Sequence, residues 1–557
     1  MFILLAQIFI LTWLIRTCKN VLFWVYVWQL KEYHIGRFVD HFRTHKGQKI
    51  FLNAVFLAKI LLFVLLVANV YILGLAAVLL AIYVVELLVF IKNVFSGDLR
   101  RPRFTLKTIL LTLISFAAVV YVLFFTAQNH LSQANWQAFL FYLLGLDIFL
   151  PIMVSAIVLA VQPVFVFLRN IQLQKAKEKI LQFPGLITIG ITGSYGKTTT
   201  KEFLTTILSQ KFSVLCTQEH QNSEMGISGT ILNKLNQEHQ IFIAEMGAYK
   251  KGGITLLCDI VKPKIGAVAG VNEQHLATFG SMENLLSAEG GKELLKALPK
   301  DGLLVLNGDN KYCVDLYRQP SSVHKEMYAM RSEKVHADIW AEEVEAHAES
   351  ISFLVRTKDG QMAHIDVAVL GRHNLQNILG AILVAKHLGM TLGEIADACK
   401  HIRQEQAGIA LKKGKRGVYV IDSSYSANPD GVFADLDYLN TFQGRKIIIM
   451  PCLIELGEKS AHIHEGIGRK IAEICDLAII TTKDKFEEIK KGATLRGMPE
   501  SNIMFSENPH AILHKIQHEC KATAVGGVPS EGGKGDAVLL EGRVPGELIE
   551  LLTDEKV

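Results

Sequence analysis

The chain has 557 residues, half of them hydrophobic, a formal net charge of +5 and eight cysteines. The charge is small for this length, and the Lys and Arg before residue 180 sit beside apolar runs, so no DNA or RNA partner is expected. The cysteines form no CxxC pair and no zinc spacing, which excludes a disulfide framework and points to free thiols in a reducing compartment.

The apolar excess is concentrated before residue 168. Spans, which need about 20 residues each, are expected at 2–28, 50–73, 75–94, 108–127 and 137–168. The first is interrupted by Arg16, Lys19 and Asn20. The basic segments "LKEYHIGRFVDHFRTHKGQK", "KNVFSGDLRRPRFTLK" and "RNIQLQKAKEK" fall on one side of the bilayer if all five segments cross. A multi-pass protein of the cytoplasmic (inner) membrane follows, with the lipid bilayer as a partner, the N-terminus outside and everything after Arg169 in the cytoplasm. Glu86 and Asp147 lie well inside spans, where a charge is costly unless it faces another helix, a polar pocket or a substrate.

A basic linker helix is expected over residues 169–184. "LITIGITGSYGKTTTKEFLTTIL" then reads as a buried strand, a Gly-rich turn and a helix start. Backbone amides of such a turn cradle phosphate, Lys197 adds a point charge and the Thr198 hydroxyl can hold Mg2+. The common spacing G-x-x-x-x-G-K-[ST] fails, because its first Gly would fall at Ile191; T-G-x-x-G-K-T stands instead. Farther on, Glu245 closes an apolar strand and His275 follows a second apolar run, so both can reach the same sheet edge. After residue 408, apolar strands such as "GVYVID", "RKIIIM", "LAIITT" and "AVLLEG" alternate with helical segments, the pattern of another α/β domain. "SANPD" reads as a turn and a helix start.

These blocks, taken with "EMGAYKKGGI", "NEQHLATFGS", "GRHNLQNILGAILVAKHLG", "IDSSYSANPD" and "IELGEKSAHIHEGIG", resemble in order and spacing the Mur ligase family. Within it they are most similar to the type that adds D-alanyl-D-alanine to UDP-N-acetylmuramoyl-tripeptide. The resemblance runs from about Gly185 to the C-terminus. Behind the multi-span α-helical membrane domain (1–168) and linker helix (169–184) read from the apolar runs, it implies two α/β domains: a P-loop type, ATP-binding central domain (185–408) and a Rossmann-like C-terminal domain (409–557). It also implies ATP-dependent amide formation with ATP and Mg2+, in which a substrate carboxylate takes the γ-phosphate and an amine displaces it. Thr192, Gly193, Ser194, Tyr195, Gly196, Lys197, Thr198 and Thr199 would hold the phosphates, Asn374 or Asn377 the adenine and Asp422 the ribose. Thr198, Glu245 and His275 would bind metal, and Lys197, His275 and Glu289 would be catalytic. Asn222, Tyr425 and Asn428 would meet the substrates, a cell-envelope precursor and an amino acid or dipeptide.

The chain departs from the family in several places. Glu289 stands where relatives carry a carbamylated lysine, with Lys292 nearby. Gly408-Ile409 replaces Gly-Arg, leaving Lys412, Lys413 or Arg416 to substitute for the Arg. Asp422-Ser423 replaces an acidic pair, and Glu541-Gly542-Arg543 replaces a Lys-Gly-Ser/Thr-Arg-like block. Membrane helices occupy the place of the UDP-sugar domain, which points to a lipid-linked precursor or to one held by other wall-synthesis enzymes. Two other readings are a polyglutamate-forming ligase of the folylpolyglutamate or capsule type, and a nucleotide-binding pseudo-ligase that scaffolds wall enzymes.

Overall fold

The computed structural model describes residues 2–553 except 32, 69–73, 97–98, 132–134, 219, 332–335, 348, 425–426 and 520–534. The chain divides into two compact units, 1–170 and 171–557.

The first unit is helical, built from Phe2–Leu30, Ala54–Val67, Leu75–Phe95, Leu106–Thr126 and the first part of Trp136–Ile180. Among the described residues, four helices are long and apolar enough to cross a bilayer: Gln7–Leu30, Ala76–Phe95, Leu106–His130 and Trp136–Ile180. Where a span was expected over 50–73, the described helix is Ala54–Val67, with 14 residues. At 1.5 Å per residue it covers about 21 Å of a hydrocarbon layer about 30 Å thick. Residues 69–73 of that expected span lie outside the described ones.

Arg16 does not interrupt the first helix, because its charge is neutralised inside the bundle. Its guanidinium reaches Glu86 Oε2 at 3.0 Å and Asp147 Oδ1 at 2.5 Å, and Lys59 Nζ reaches Glu86 Oε1 at 2.7 Å and Asp147 Oδ2 at 3.0 Å. The Tyr83 ring lies 4.6 Å from the Arg16 guanidinium carbon. Two cations and two anions from four helices thus balance within the apolar core, the condition under which charges are tolerated there. Both inner acids therefore face other helices.

The second unit holds two sheets. In the first, β1 (Ile187–Thr192), β2 (Val214–Cys216), β3 (Ile241–Glu245), β4 (Ile265–Val268), β5 (Leu303–Asn307), β6 (His324–Ala329), β7 (Ile339–Ala346), β8 (Ile351–Thr357) and β9 (Met362–Val367) are ordered β2-β3-β1-β4-β5-β6-β7-β8-β9. Pairing is parallel up to β7 and antiparallel between β7, β8 and β9. The central parallel strands β3, β4 and β5 are largely apolar and buried throughout, because helices cover both of their faces. The second sheet comprises β10 (Ala410–Lys413), β11 (Tyr419–Ser423), β12 (Lys446–Met450), β13 (Leu477–Ile480), β14 (Ile503–Phe505) and β15 (Ala537–Glu541). Its order is β10-β11-β15-β12-β13-β14, with only β10 antiparallel.

The segment expected as a separate linker helix is the last part of the 45-residue helix Trp136–Ile180. Its end belongs to the second unit. Leu173, Ala176 and Ile180 are buried in a core shared with Ile227, Ile231 and Leu257. Lys179 Nζ donates to the Leu232 carbonyl at 2.9 Å, and Lys177 pairs with Asp259. The seven cysteines among the described residues are free thiols.

Candidate active site

β1 is flanked by β3 on one side and β4 on the other. The chain leaves β1 toward the β2 edge and leaves β4 toward β5, so the strand order reverses between β1 and β4. Ligands of open α/β sheets bind outside the carboxyl ends of strands at such a point. The turn Gly193–Gly196 lies there and opens into the helix Lys197–Leu208. Gly193 and Gly196 have φ of 137° and 76°, the region that favours glycine. A Cβ on Gly196 would also sit 2.6 Å from Asn377 Oδ1.

The turn is held by its own groups and by the end of β4. Ser194 N donates to the Gly270 carbonyl at 2.7 Å, and Lys197 Nζ donates to the Gly193 and Ser194 carbonyls. The Tyr195 ring lies against Gly270, where a Cβ would come within 2.3 Å of it, and the Tyr195 hydroxyl accepts from Asn310 Nδ2 at 3.3 Å. Thr192 is fully buried with its hydroxyl unpartnered. Thr199 is half-buried in the first helical turn.

Two polar clusters flank this turn. On the β3 side, Glu245, 4% exposed, accepts from Thr198 Oγ1 at 2.9 Å and from Asn222 Nδ2 at 3.1 Å. Lys201, fully buried, lies 3.5 Å from the same carboxylate and donates to the Thr217 carbonyl at 2.9 Å. Burial works against the Lys201 charge, but Glu245 and Glu202 outweigh it and hold its pKa above the usual value. On the β4 side, Glu289, 1% exposed, lies 3.0 Å from His275 Nδ1 and accepts from Ser194 Oγ at 2.9 Å. Glu245 and His275 lie at or beyond the carboxyl ends of parallel strands, β3 and β4, on either side of β1, with different hydrogen-bond partners; no group of three or more His, Cys, Asp or Glu that could hold a metal is found among the described residues. A Mg2+ here would take one or two protein ligands and complete its shell with phosphates and water, its ordinary habit. Lys201 was absent from the sequence reading, although it follows Lys197 by one helical turn and so shares its face.

Asn374 and Asn377, the residues expected at the adenine, are buried, 1% and 8% exposed. Asn374 Nδ2 donates to the Leu370 carbonyl at 2.8 Å, Asn377 Nδ2 to Asn374 Oδ1 at 3.1 Å, and Thr200 Oγ1 to Asn377 Oδ1 at 3.3 Å. They back the phosphate turn from inside. At the end of β11, Asp422 pairs with Lys412 at 3.1 Å. Of the three basic residues considered for the missing Arg, Lys412 is thus the one at Asp422; the Arg416 side chain is outside the described atoms. Tyr425 lies outside the described residues. Asn428 caps the helix Pro429–Leu439, accepting from Gly431 N at 3.0 Å, and also accepts from Asn272 Nδ2 at 3.3 Å.

Glu541 ends β15 beside Ser423 on β11. It is 1% exposed and faces the Asp435 carboxylate, to which Ser423 Oγ donates at 2.5 Å. Burial first and the Asp435 charge second push the Glu541 pKa well above 4.5. His373, its own pKa lowered by burial, is the other titratable group that feels Asp435. The unfolded chain releases the Glu541 proton near the ordinary value and the folded chain only at higher pH. The resulting stability is therefore complete below about 4.5 and lost as pH rises through the folded pKa. Glu541→Gln, which never ionises, is expected to leave the melting temperature unchanged at pH 4 and to raise it increasingly toward pH 8. A difference that does not change with pH would mean that Glu541 is charged in the folded protein.

A glycine-rich phosphate turn at a strand-order reversal, flanked by carboxylates and closed by a second α/β domain, defines a nucleotide-binding α/β protein. Residues 191–385 match the Mur ligase middle domain and residues 409–543 the Mur ligase glutamate ligase domain. The chain belongs to the Mur ligase family. It is similar to UDP-N-acetylmuramoyl-tripeptide–D-alanyl-D-alanine ligase of Haemophilus influenzae, 27% identical over 51% of this chain and 61% of the relative. The enzyme of that name from Bacillus subtilis is 24% identical over 69% of this chain and 78% of the relative. The chain thus spans less than two thirds of the Haemophilus protein. Among solved structures, MurF from Acinetobacter baumannii superposes with a TM-score of 0.59 at 24% identity, over 69% of this chain and 80% of that one. MurF from Thermotoga maritima in complex with ADP gives 0.58 at 24%, over 69% and 83%. At that identity the likeness is one of fold.

Proposed function

We propose that the protein is a membrane-anchored, ATP-dependent, ADP-forming amide ligase of cell-wall precursor synthesis. It joins an amino acid or dipeptide to the carboxylate of a muramoyl-peptide-like precursor. The observation that carries this reading is the Glu289 carboxylate resting on both Ser194 of the phosphate turn and His275. That arrangement sets an anion and an imidazole beside the place where a γ-phosphate would lie. The names of the relatives agree with it.

The residues fit ATP and Mg2+. The turn ends at a helix N-terminus, suited to phosphate, and the Thr198 hydroxyl and Glu245 carboxylate form an oxygen pair suited to a hard cation. Mg2+ bound there would neutralise phosphate charge. Lys197 would leave the turn carbonyls for the γ-phosphate as a substrate carboxylate oxygen attacks its phosphorus, the bond to the β-phosphate oxygen breaks and ADP leaves. The amine nitrogen then attacks the acyl carbon, the acyl C–O bond breaks to release phosphate, and the nitrogen gives up a proton to solvent. Glu289 and His275 hold the β4 side of the site in place, and Lys201 sets a cation 3.5 Å from the Glu245 carboxylate. Asn374 and Asn377 shape the turn from behind.

The matched part of the chain is preceded by an apolar helical unit. This favours a precursor presented at the membrane, with the lipid-linked form as the preferred substrate. Detergent-solubilised full chain, incubated with ATP, Mg2+, D-alanyl-D-alanine and either UDP-linked or lipid-linked muramoyl tripeptide, is expected to release ADP and form the pentapeptide, read by mass spectrometry. No product from either precursor would end the reading. The ligase domains are placed in the cytoplasm, so reporters fused at Asn129 and Lys175 are expected on opposite sides of the membrane. An N-terminal reporter on the Asn129 side would mean that the short helix Ala54–Val67 completes a fifth crossing; one on the Lys175 side would mean four.

A further inference from the structure

The segment Asn272–Ala277 carries His275 and receives the second α/β domain along its whole length. Asn272 Nδ2 donates to Asp430 Oδ2 at 2.8 Å and to Asn428 Oδ1 at 3.3 Å. Glu273 pairs with Lys459 at 2.8 Å and accepts from the Tyr312 hydroxyl at 3.4 Å. Gln274 Nε2 reaches the Ala427 carbonyl at 3.5 Å. Ala277 N donates to the Glu455 carbonyl at 3.1 Å, and Glu455 holds a φ of 67°, unusual for a residue with a side chain. On its other face the same segment meets the phosphate turn: Ser194 Oγ, which donates to Glu289, lies 3.3 Å from the Asn272 carbonyl oxygen.

The helix that follows His275, Leu276–Phe279, has four residues. A helix that short does not sustain itself, so the direction of the His275 side chain depends on what grips the segment from outside. We infer that Asn272 and Glu273 are positioning residues, through which the second α/β domain aims His275 and Glu289 at the phosphate turn. The kinetic consequence rests on the ligase reading; the structural one does not. The two contacts differ in weight. The Glu273–Lys459 pair is partly exposed, and such pairs contribute little on their own. Asn272 is 5% exposed and meets the ionisable Asp430, whose pKa is raised by burial, so loss of that donor leaves a desolvated acid unpaired. Asp430 belongs to the "SANPD" turn, which follows the Asp422 strand end. Occupancy of that region by nucleotide and amine would therefore be felt at His275 through Asn272.

Two variants test this in the full chain. Asn272→Asp sets a carboxylate against Asp430; Asn272→Asp combined with Asp430→Asn restores one donor and one acceptor with the roles exchanged, and keeps an acceptor for the Gln274 N–H that now bonds Asn272 Oδ1 at 3.0 Å. The single variant is expected to speed hydrogen exchange in residues 274–279 and to lower kcat, each by about tenfold or more, with KM for ATP within about twofold. The double variant is expected to recover most of both. Lys459→Glu, alone and paired with Glu273→Lys, repeats the test at an exposed position where folding is not at stake, with smaller changes in the same pattern. Parent-level exchange in Asn272→Asp, or a folded double variant no better than the single one, overturns the inference. A parent protein that forms no ADP with either muramoyl peptide overturns the ligase reading instead, and the exchange result still decides this one.

Discussion

Lys197→Ala is expected to reduce ATP turnover by about a hundredfold to a thousandfold or more, the usual cost of removing a preorganised charge from a developing anion. Lys197 is the side-chain cation of the phosphate turn. Its ammonium rests on the Gly193 and Ser194 carbonyls of the turn itself. The fold should survive, because the turn is also held by Ser194 N on Gly270, by the Tyr195 ring on Gly270 and by Asn377 behind Gly196. ADP release and a thermal melt measured on the same preparation separate the two effects. A folded variant that ligates at near the parent rate would show that the chemistry lies elsewhere.

The second large effect is expected at Glu289. This residue, and not Lys292, makes the contacts to Ser194 and His275. A genetically encoded carboxylate in that role would make carbamylation by dissolved CO2 unnecessary, so the rate should not depend on bicarbonate. Glu289→Gln keeps the shape and loses the charge. A charge-assisted contact is worth roughly 1.5 to 3 kcal/mol, which corresponds to a loss of about ten- to a hundredfold in rate. Glu289→Lys places a cation beside His275 and should nearly abolish turnover, with partial return in bicarbonate if the new amine is carbamylated. Bicarbonate-dependent turnover in the parent that is lost in Lys292→Ala, together with a Gln variant at the parent rate, would transfer the role to Lys292.

Local pattern in the chain was sufficient for some of this. Apolar runs flanked by basic loops marked the helical unit. A strand, a T-G-x-x-G-K-T turn and a helix start marked the phosphate site, because backbone conformation and the needs of a phosphate act over a few neighbouring residues. The Thr198–Glu245 contact was also legible, since both residues end strands or begin helices at one sheet edge.

What depends on packing was not legible. An amphipathic pattern cannot say whether a polar residue at a helix start meets solvent or another element, and the burial of Asn374 and Asn377 behind the turn follows only from packing. Arg16 looked like an interruption until Glu86 and Asp147, 70 and more residues away, neutralised it. Likewise, the order β3-β1-β4 separates Glu245 from His275 across the phosphate turn, and the docking of the second domain turns Asn272, read only as part of a motif, into the residue that meets Asp430. Sequence alone therefore determined which groups this protein has available for phosphate and metal. Tertiary structure decided which of them meet, because charges and hydrogen-bond donors taken out of water must find partners wherever the fold brings them, however far apart they lie along the chain.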